Sequence, residues 1–460
     1  MKTIKTNIIP KAATFSTVGN QKELDLKAIC VFAATGFFLD TDTYWKNKKV
    51  LAPASIHTFD ETNKLISSKP WFQWHHNPRD ISFTQALDEF EALFEKIIYE
   101  QTIDKRVILP LSGGVDSRTQ AVALQNHPDV FSYSYSFKNG YPEHKIATKI
   151  ATKSGFKFES YQVKEGYLWN VIEELANINQ CYSDFTHPRQ MAFVDELKNK
   201  GTIFSLGHWG DVLFDSMRLP QLTVEEEVKV ILNKIVKKGG LELASSLWES
   251  WGLEGKFKTY IEKRIFNLLN TIQIKDTNVK LRAFKSKYWA PRWTSVNLSV
   301  FDSIAPIELP YYDDRMCEFI CTIPEFYLNN RQLQIEYIKR NAPDLAKITW
   351  QEQRPFNLNN YQLNKKPFNL PYKIYTKLLR ECKGVLGNHY VQRNWELQFI
   401  GKENDTQLQK WLFESDLDSL IPKEVIQQFY TNFKEKDTVH YAHPVSMLLT
   451  LALFNKKFNK

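Results

Sequence analysis

One stretch constrains the fold of this chain more than any other. Residues Leu111–Arg118 read Leu-Ser-Gly-Gly-Val-Asp-Ser-Arg and are entered from the apolar run Val107-Ile108-Leu109-Pro110. A short apolar strand that passes through Ser-Gly-Gly into a helix makes a pocket for phosphate. Glycine lets an anion come close to the backbone, and the helix N-terminus offers N–H groups with partial positive charge. The common nucleotide loop Gly-x-x-x-x-Gly-Lys-Ser/Thr does not occur in the chain.

Strand and helix signals alternate beyond this loop. Thr119–Leu124 continues as a helix, Val130–Phe137 reads as a strand, and Asn139-Gly140 turns the chain. Ile146, Ala147, Ile150 and Ala151 then mark one face of a helix, and Phe156–Val163 is a third strand. Helical patterns around Tyr167–Ile178 and Gln190–Lys198 precede a fourth strand, Thr202–Leu206, which ends in Gly207-His208-Trp209-Gly210-Asp211. Such alternation predicts an α/β fold, a parallel sheet with helices on both faces. Ligands of these sheets sit beyond the carboxyl ends of the strands, so Ser112 and Gly207 can line one crevice.

The flanking regions differ in character. Residues 1–80 read as a small β-rich region, with Ile29–Phe32, Gly36–Leu39 and Lys49–Ala52 as strand-like pieces. Ser82 and Gln85 form a capping-box pattern ahead of a helix bearing Leu87, Phe90, Phe94, Ile97 and Ile98. The domain expected to hold the phosphate loop spans 81–345, and a helical extension over 346–460 packs on it. Thr223–Lys238 and Arg331–Arg340 carry clear helical periodicity.

Composition narrows the function classes. Hydrophobic residues make up 43% of the 460 and aromatics 14%, ample for packed cores, while the net charge of +8 comes from scattered lysines. No basic stripe interleaves with the aromatics, which speaks against nucleic acid as a partner. The apolar runs Ala28–Leu39 and Val445–Phe454 fall short of the roughly 20 residues of a membrane span, so no membrane is expected. Five widely spread cysteines give no disulfide framework, and a reducing cytoplasm is the expected compartment. Cys317 and Cys321 read as core residues, and His75-His76 as part of a loop packed on the core.

The Leu111–Arg118 loop resembles the pyrophosphate loop of ATP pyrophosphatases, and together with Gly207–Phe214 it extends the likeness. The chain resembles the synthetase domain of glutamine-dependent asparagine synthetases and their relatives, which include β-lactam synthetases and lasso-peptide cyclases. Tyr133–Phe137 with Glu143, Leu309-Pro310-Tyr311-Tyr312-Asp313 with Arg315, Ile323-Pro324, and His443 with Leu448–Phe454 match further family segments. Gly36–Phe59 resembles the end of the family's glutaminase domain.

The resemblance implies a two-step ligase. A carboxylate substrate, small molecule or peptide, attacks the α-phosphorus of ATP, and an amine then displaces AMP from the acyl-adenylate. Ser112, Gly113, Gly114 and Ser117 would cradle the phosphates, with Gly207 alongside, and Leu111 and Tyr135 stand where the family's main chain holds adenine. Asp116 and Asp211 match the family's Mg²⁺-binding aspartates, in keeping with the oxygen preference of that ion. ATP and Mg²⁺ are therefore the implied cofactors, with Asp116, Asp211 and His208 as catalytic candidates.

Departures from the family pattern bear on the other substrates. Met1 is followed by Lys2, where the family carries its glutaminase cysteine, and the region ahead of the synthetase part is short. The amine is then expected to be ammonia, to come from a partner amidotransferase, or to belong to another substrate. The family reads Gly-Glu-Gly-(Ala/Ser)-Asp-Glu-Leu-Phe where this chain reads Gly207-His208-Trp209-Gly210-Asp211-Val212-Leu213-Phe214. His208, with an ordinary pKa near 6.5, either deprotonates the incoming amine or fills a pocket wall. Arg118 either reaches phosphate or, as expected here, points to solvent from the first helical turn. The family's late catalytic lysine has no clear counterpart: Lys339 is nearby, while Gln332 or Ile335 holds the equivalent place. Three activities follow: an asparagine synthetase-like ligase without its own glutaminase, a tailoring synthetase using a peptide or internal amine, and a non-catalytic nucleotide-binding subunit motivated by Val212.

Overall fold

The alternation of strands and helices after Val107 folds into a five-stranded, all-parallel sheet. The computed structural model describes residues 1–12, 15–17 and 23–459. Among the described residues, five short strands precede the main sheet: β1 (Lys2–Lys5), β2 (Phe15–Thr17), β3 (Lys48–Val50), β4 (Ser55–Phe59) and β5 (Leu65–Pro70). The main sheet comprises β6 (Val107–Pro110), β7 (Val130–Phe137), β8 (Lys157–Val163), β9 (Ile203–Ser205) and β10 (Ile307–Glu308), in the order β10-β9-β6-β7-β8. Ile108 of β6 pairs with Phe131 on one side and Phe204 on the other. Because helices cover both faces, Val107, Ile108 and Leu109 are each fully buried, which is why β6 is a continuous apolar run rather than an alternating one.

The strand order places the functional crevice. From β6 the chain moves outward to β7 and β8, then returns to the other side of β6 for β9 and β10. The order reverses between β6 and β9, and the carboxyl ends of those two strands lead into Ser112 and Gly207. This is the position at which open α/β sheets bind ligands.

The helices follow their local signals. Ser82 caps Phe83–Thr102: its Oγ accepts from Gln85 N at 3.2 Å, and Gln85 Oε1 accepts from Ser82 N at 2.9 Å. Leu87, Phe90, Phe94, Ile97 and Ile98 form the buried face of this helix. Thr223 and Glu226 close a second capping box on Val224–Ile235.

The amino-terminal region differs from expectation. Ile29–Phe32 is helical, part of Leu26–Thr35, and Gly36–Leu39 is not a strand. Asp25 caps the helix through Ala28 N, and Gly36 ends it at φ 81°. Ala28 to Thr35 are all buried, so the segment is apolar all round and carries no helical periodicity to read. Its neighbours include the Ala442–Phe458 helix, where His443 Nε2 lies 2.9 Å from Ala33 O. Tyr44 stacks on Phe454, tying the amino-terminal region to the same carboxy-terminal helix.

Cys317 and Cys321 are buried in the core. The loop carrying His75 and His76 is tied down by backbone bonds from Asn77 to Cys321 and from Arg79 to Thr322. Among the described residues no helix is long and apolar enough to cross a membrane.

Candidate active site

The loop after β6 is held by its own hydroxyls. Ser117 Oγ accepts from Ser112 N at 3.1 Å, and Ser112 Oγ accepts from Gly114 N at 3.1 Å. Gly113 N donates to Glu143 Oε1 at 3.3 Å and to Gln351 Oε1 at 3.2 Å. The helix that follows, Asp116–Ala123, starts without a side-chain cap, so its first-turn N–H groups remain for an anion.

Glycine is required here by close packing. A Cβ on Gly113 would lie 2.7 Å from Gln351 Cβ, because the segment around Gln351 folds over the loop. Gln351 N also donates to Gly113 O at 3.0 Å. On the opposite wall a Cβ on Gly210 would come within 2.0 Å of Asp116 Oδ1. Only glycine lets the β9 turn approach the phosphate loop so closely.

The two strand ends enclose one cleft of about 250 Å³. Leu111, Ser112, Asp116, Ser117, Tyr135, Gly207 and His208, all named from sequence, line it together with Glu143. Gly113 and Gly114 lie within the loop itself, and Asp211 stands exposed at the start of the one-turn helix Gly210–Leu213.

Asp116 is the electrostatic centre. Its Oδ1 accepts from Arg331, which is 4% exposed, and from Gln334 Nε2 at 3.0 Å. Gln334 also donates to Tyr311 Oη at 2.8 Å and accepts from Arg331 Nε at 3.0 Å. Burial pushes the Asp116 carboxyl up to about 6; Arg331 opposes this, while the carboxylate of Asp211 adds to it. Glu352 is likewise raised by burial, with Arg331 opposing and Asp211 adding to the shift. Asp116 and Asp211 thus repel each other, and with Oδ1 of Asp116 taken, Oδ2 remains for a cation. Two carboxylates plus phosphate oxygens suit Mg²⁺, which seldom takes an all-protein cage. Among the described residues no group of three or more His, Cys, Asp or Glu is arranged to hold a metal ion alone.

One side chain departs from expectation, and two more settle what the sequence left open. Arg118 does not face solvent: it is fully buried, its Nη1 donating to Leu345 O and Ile348 O and its Nη2 to Gly113 O and Thr349 O, at 2.9–3.2 Å. Burial lowers its pKa to about 10, and it clamps the phosphate loop to the 345–349 segment. Lys339 pairs with Glu336 of its own helix at 2.8 Å, whereas Arg331 and Gln334 reach Asp116. Trp209, where the family pattern has glycine, adopts φ 76° and donates from Nε1 to Ser286 Oγ at 3.2 Å. A left-handed tryptophan is strained backbone held by its surroundings.

His208 lines the cleft with its Nδ1 unpartnered. Burial drives its pKa down to about 4 despite the nearby Asp211, so at neutral pH it is an uncharged imidazole and, in the empty cleft, a weak base. Lys285, absent from the sequence-based candidates, opens the π-helical stretch Lys285–Thr294. Burial and Arg282 lower its pKa to about 8, opposed by Asp211 and Asp215. A lysine of that pKa beside carboxylates is a candidate functional cation.

A second cavity, about 400 Å³, is lined by Asp184, His187, Arg189, Lys237, Arg393 and His443 among others. Arg189 Nη1 lies 3.4 Å from Tyr135 Oη, so this cavity adjoins the cleft at its Tyr135 wall.

Residues 89–334 match the family model described as asparagine synthase, a stretch covering more than half of the chain. A search of curated proteins returns no match.

Proposed function

The chain belongs to the asparagine synthase family, an assignment that carries ATP-dependent amide ligation with it, and we propose that it activates a carboxylate as an acyl-adenylate. The observation that carries this reading is the convergence of Ser112, Asp116, Ser117, Tyr135, Gly207 and His208 on one cleft at the sheet's switch point. A substrate carboxylate oxygen attacks the α-phosphorus, the α–β P–O bond breaks, and pyrophosphate leaves into the Ser112–Ser117 loop. The amine nitrogen then attacks the acyl carbon, AMP departs, and the amine proton passes to neutral His208, whose basicity the anionic phosphates bound in the cleft would raise. Mg²⁺, held by Asp116 Oδ2 and Asp211, would neutralise the leaving pyrophosphate. Arg331 and Gln334 orient Asp116, and Lys285 supplies a further positive charge on the Asp211 side.

We take the amine to be ammonia, to come from a partner amidotransferase or to belong to another substrate, rather than to be released from glutamine by this chain. A glutaminase needs an accessible thiolate, and Cys30, Cys181, Cys317 and Cys321 are buried. Burial raises the Cys30 and Cys181 thiols, and Cys382 is exposed on the Leu370–Val385 helix. Exchange of labelled pyrophosphate into ATP, across a panel of carboxylic acids, tests the reading. Acid-dependent exchange that is lost in Asp116→Asn supports it; tight ATP binding without exchange for any acid points instead to a non-catalytic subunit.

The cavity beside Tyr135 favours a second reading, a tailoring synthetase whose amine or acid is larger than ammonia or aspartate. Asparagine formed at a useful rate from aspartate and ammonia would count against it.

A further inference from the structure

The Leu370–Val385 helix is an amphipathic element, and among the described residues nothing covers its apolar side. It leaves the fold at Asn369 and the chain returns at Asn394, both nearly fully buried, yet none of its own residues is buried. Ile374, Tyr375 and Leu378 are 57%, 61% and 55% exposed, and Val385 is 88% exposed. With Leu370 and Leu379 they form one stripe at helical spacing. Lys373, Lys377, Arg380 and Lys383 flank the stripe, against the single acid Glu381, which lies 3.8 Å from Lys377.

We propose that this helix docks on an anionic lipid surface, its apolar stripe entering the headgroup region and its cations meeting lipid phosphates. Spanning is not involved; a helix of this composition lies in the interface. The charge pattern selects this occupant. A second copy would bring two cationic rims together, which like-charge repulsion opposes. A bound peptide would want a groove, whereas this is the convex face of a lone helix. An anionic bilayer complements both features, and the apolar patch is otherwise an unexplained liability. Val391 N donates to Asn139 O at 3.3 Å, tying the base of the arm to the Asn139–Gly140 turn after β7. The inference is independent of the ligase reading.

Flotation of the full chain with phosphatidylcholine vesicles, with and without phosphatidylglycerol, tests it. Binding to the anionic vesicles at low salt is expected, weakened by added salt. Each of Lys373→Gln, Lys377→Gln and Arg380→Gln should weaken binding about fivefold, and Ile374→Ser with Leu378→Ser should abolish it. Unchanged melting and ATP binding show that the variants remain folded. Failure of the wild type to float, equal binding to neutral vesicles, or indifference to the Gln substitutions would overturn the proposal. So would a dimer dispersed by Leu378→Ser, or tight binding of poly-L-glutamate, if vesicles are not bound.

Discussion

Replacing Arg118 by methionine should loosen the phosphate loop and destabilise the fold together. The guanidinium gives four hydrogen bonds to backbone carbonyls of Gly113, Leu345, Ile348 and Thr349, all inside the protein. Methionine fills much of the volume but takes the side-chain donor from Ile348 O and Thr349 O, while Gly113 O keeps Gln351 N and Leu345 O keeps Ile348 N. Each bond to a charged donor is worth roughly 1.5–3 kcal/mol, but the wild type also carries the cost of burying the charge. The net loss should resemble that of breaking other buried charged networks, about 3–5 kcal/mol. An unfolding entropy of about 2.1 cal/mol/K per residue, taken over the chain, makes that a drop in melting temperature of roughly 3–5 °C. Because Gly113 is one end of the clamp and Gln351 sits just beyond the other, ATP affinity should fall as well. Arg118→Lys should recover only part of both, since an ammonium lacks the planar fork. Thermal melting with and without ATP, and ATP titration, provide the readouts. A methionine variant with wild-type melting and wild-type ATP affinity would refute the clamp.

Other perturbations separate the roles within the site. Asp116→Asn keeps an acceptor for Arg331 and Gln334 but loses the charge, so pyrophosphate exchange should fall at least about 100-fold with little change in melting; Asp116→Ala, which leaves Arg331 buried and short of its carboxylate, should cost about 3–5 kcal/mol in urea unfolding. His208→Ala should preserve pyrophosphate exchange while slowing amide formation about 10²–10⁴-fold, as loss of a general base does. Gly113→Ala should raise the KM for ATP by displacing Gln351, and Gln351→Gly in the same chain should restore it. His443 has its pKa lowered to about 4 by burial, below about 6.5 in the unfolded chain, so the unfolded state takes the proton first. Its contribution is therefore intact above the unfolded value and shrinks as pH falls toward the folded one. In urea unfolding at about pH 4.5, His443 should account for a loss of roughly 2–3 kcal/mol relative to neutral pH, a share missing in His443→Gln.

What could be read from sequence was what local pattern encodes. The phosphate loop, the strands β6 to β9 and the Ser82 capping box announce themselves within a dozen residues, and the cleft gathers seven of the sequence-named residues. Arg331 and Gln334 meet Asp116 across 215 and 218 positions of chain, a separation no local pattern reports. The Leu26–Thr35 helix is buried all round, so its apolar run is indistinguishable from a strand by periodicity. Arg118 was legible as a cation in the first helical turn; its acceptors, three of them more than two hundred residues away, were not. One usable signal for Lys285 existed, a lysine just ahead of the aromatic stretch Tyr288-Trp289-Ala290-Pro291-Arg292-Trp293, but only the fold brings its charge under the influence of Asp211.

The central claim is that the Ser112–Ser117 loop receives the pyrophosphate portion of ATP between Asp116 and Asp211. A crystal structure of the chain with α,β-methylene ATP and Mn²⁺, the metal located by anomalous scattering, tests this most directly. The β- and γ-phosphates are expected on the Ser112, Gly114 and Ser117 donors, with the metal touching Asp116 Oδ2 and Asp211. Phosphates bound elsewhere, or a metal in contact with neither aspartate, would contradict it.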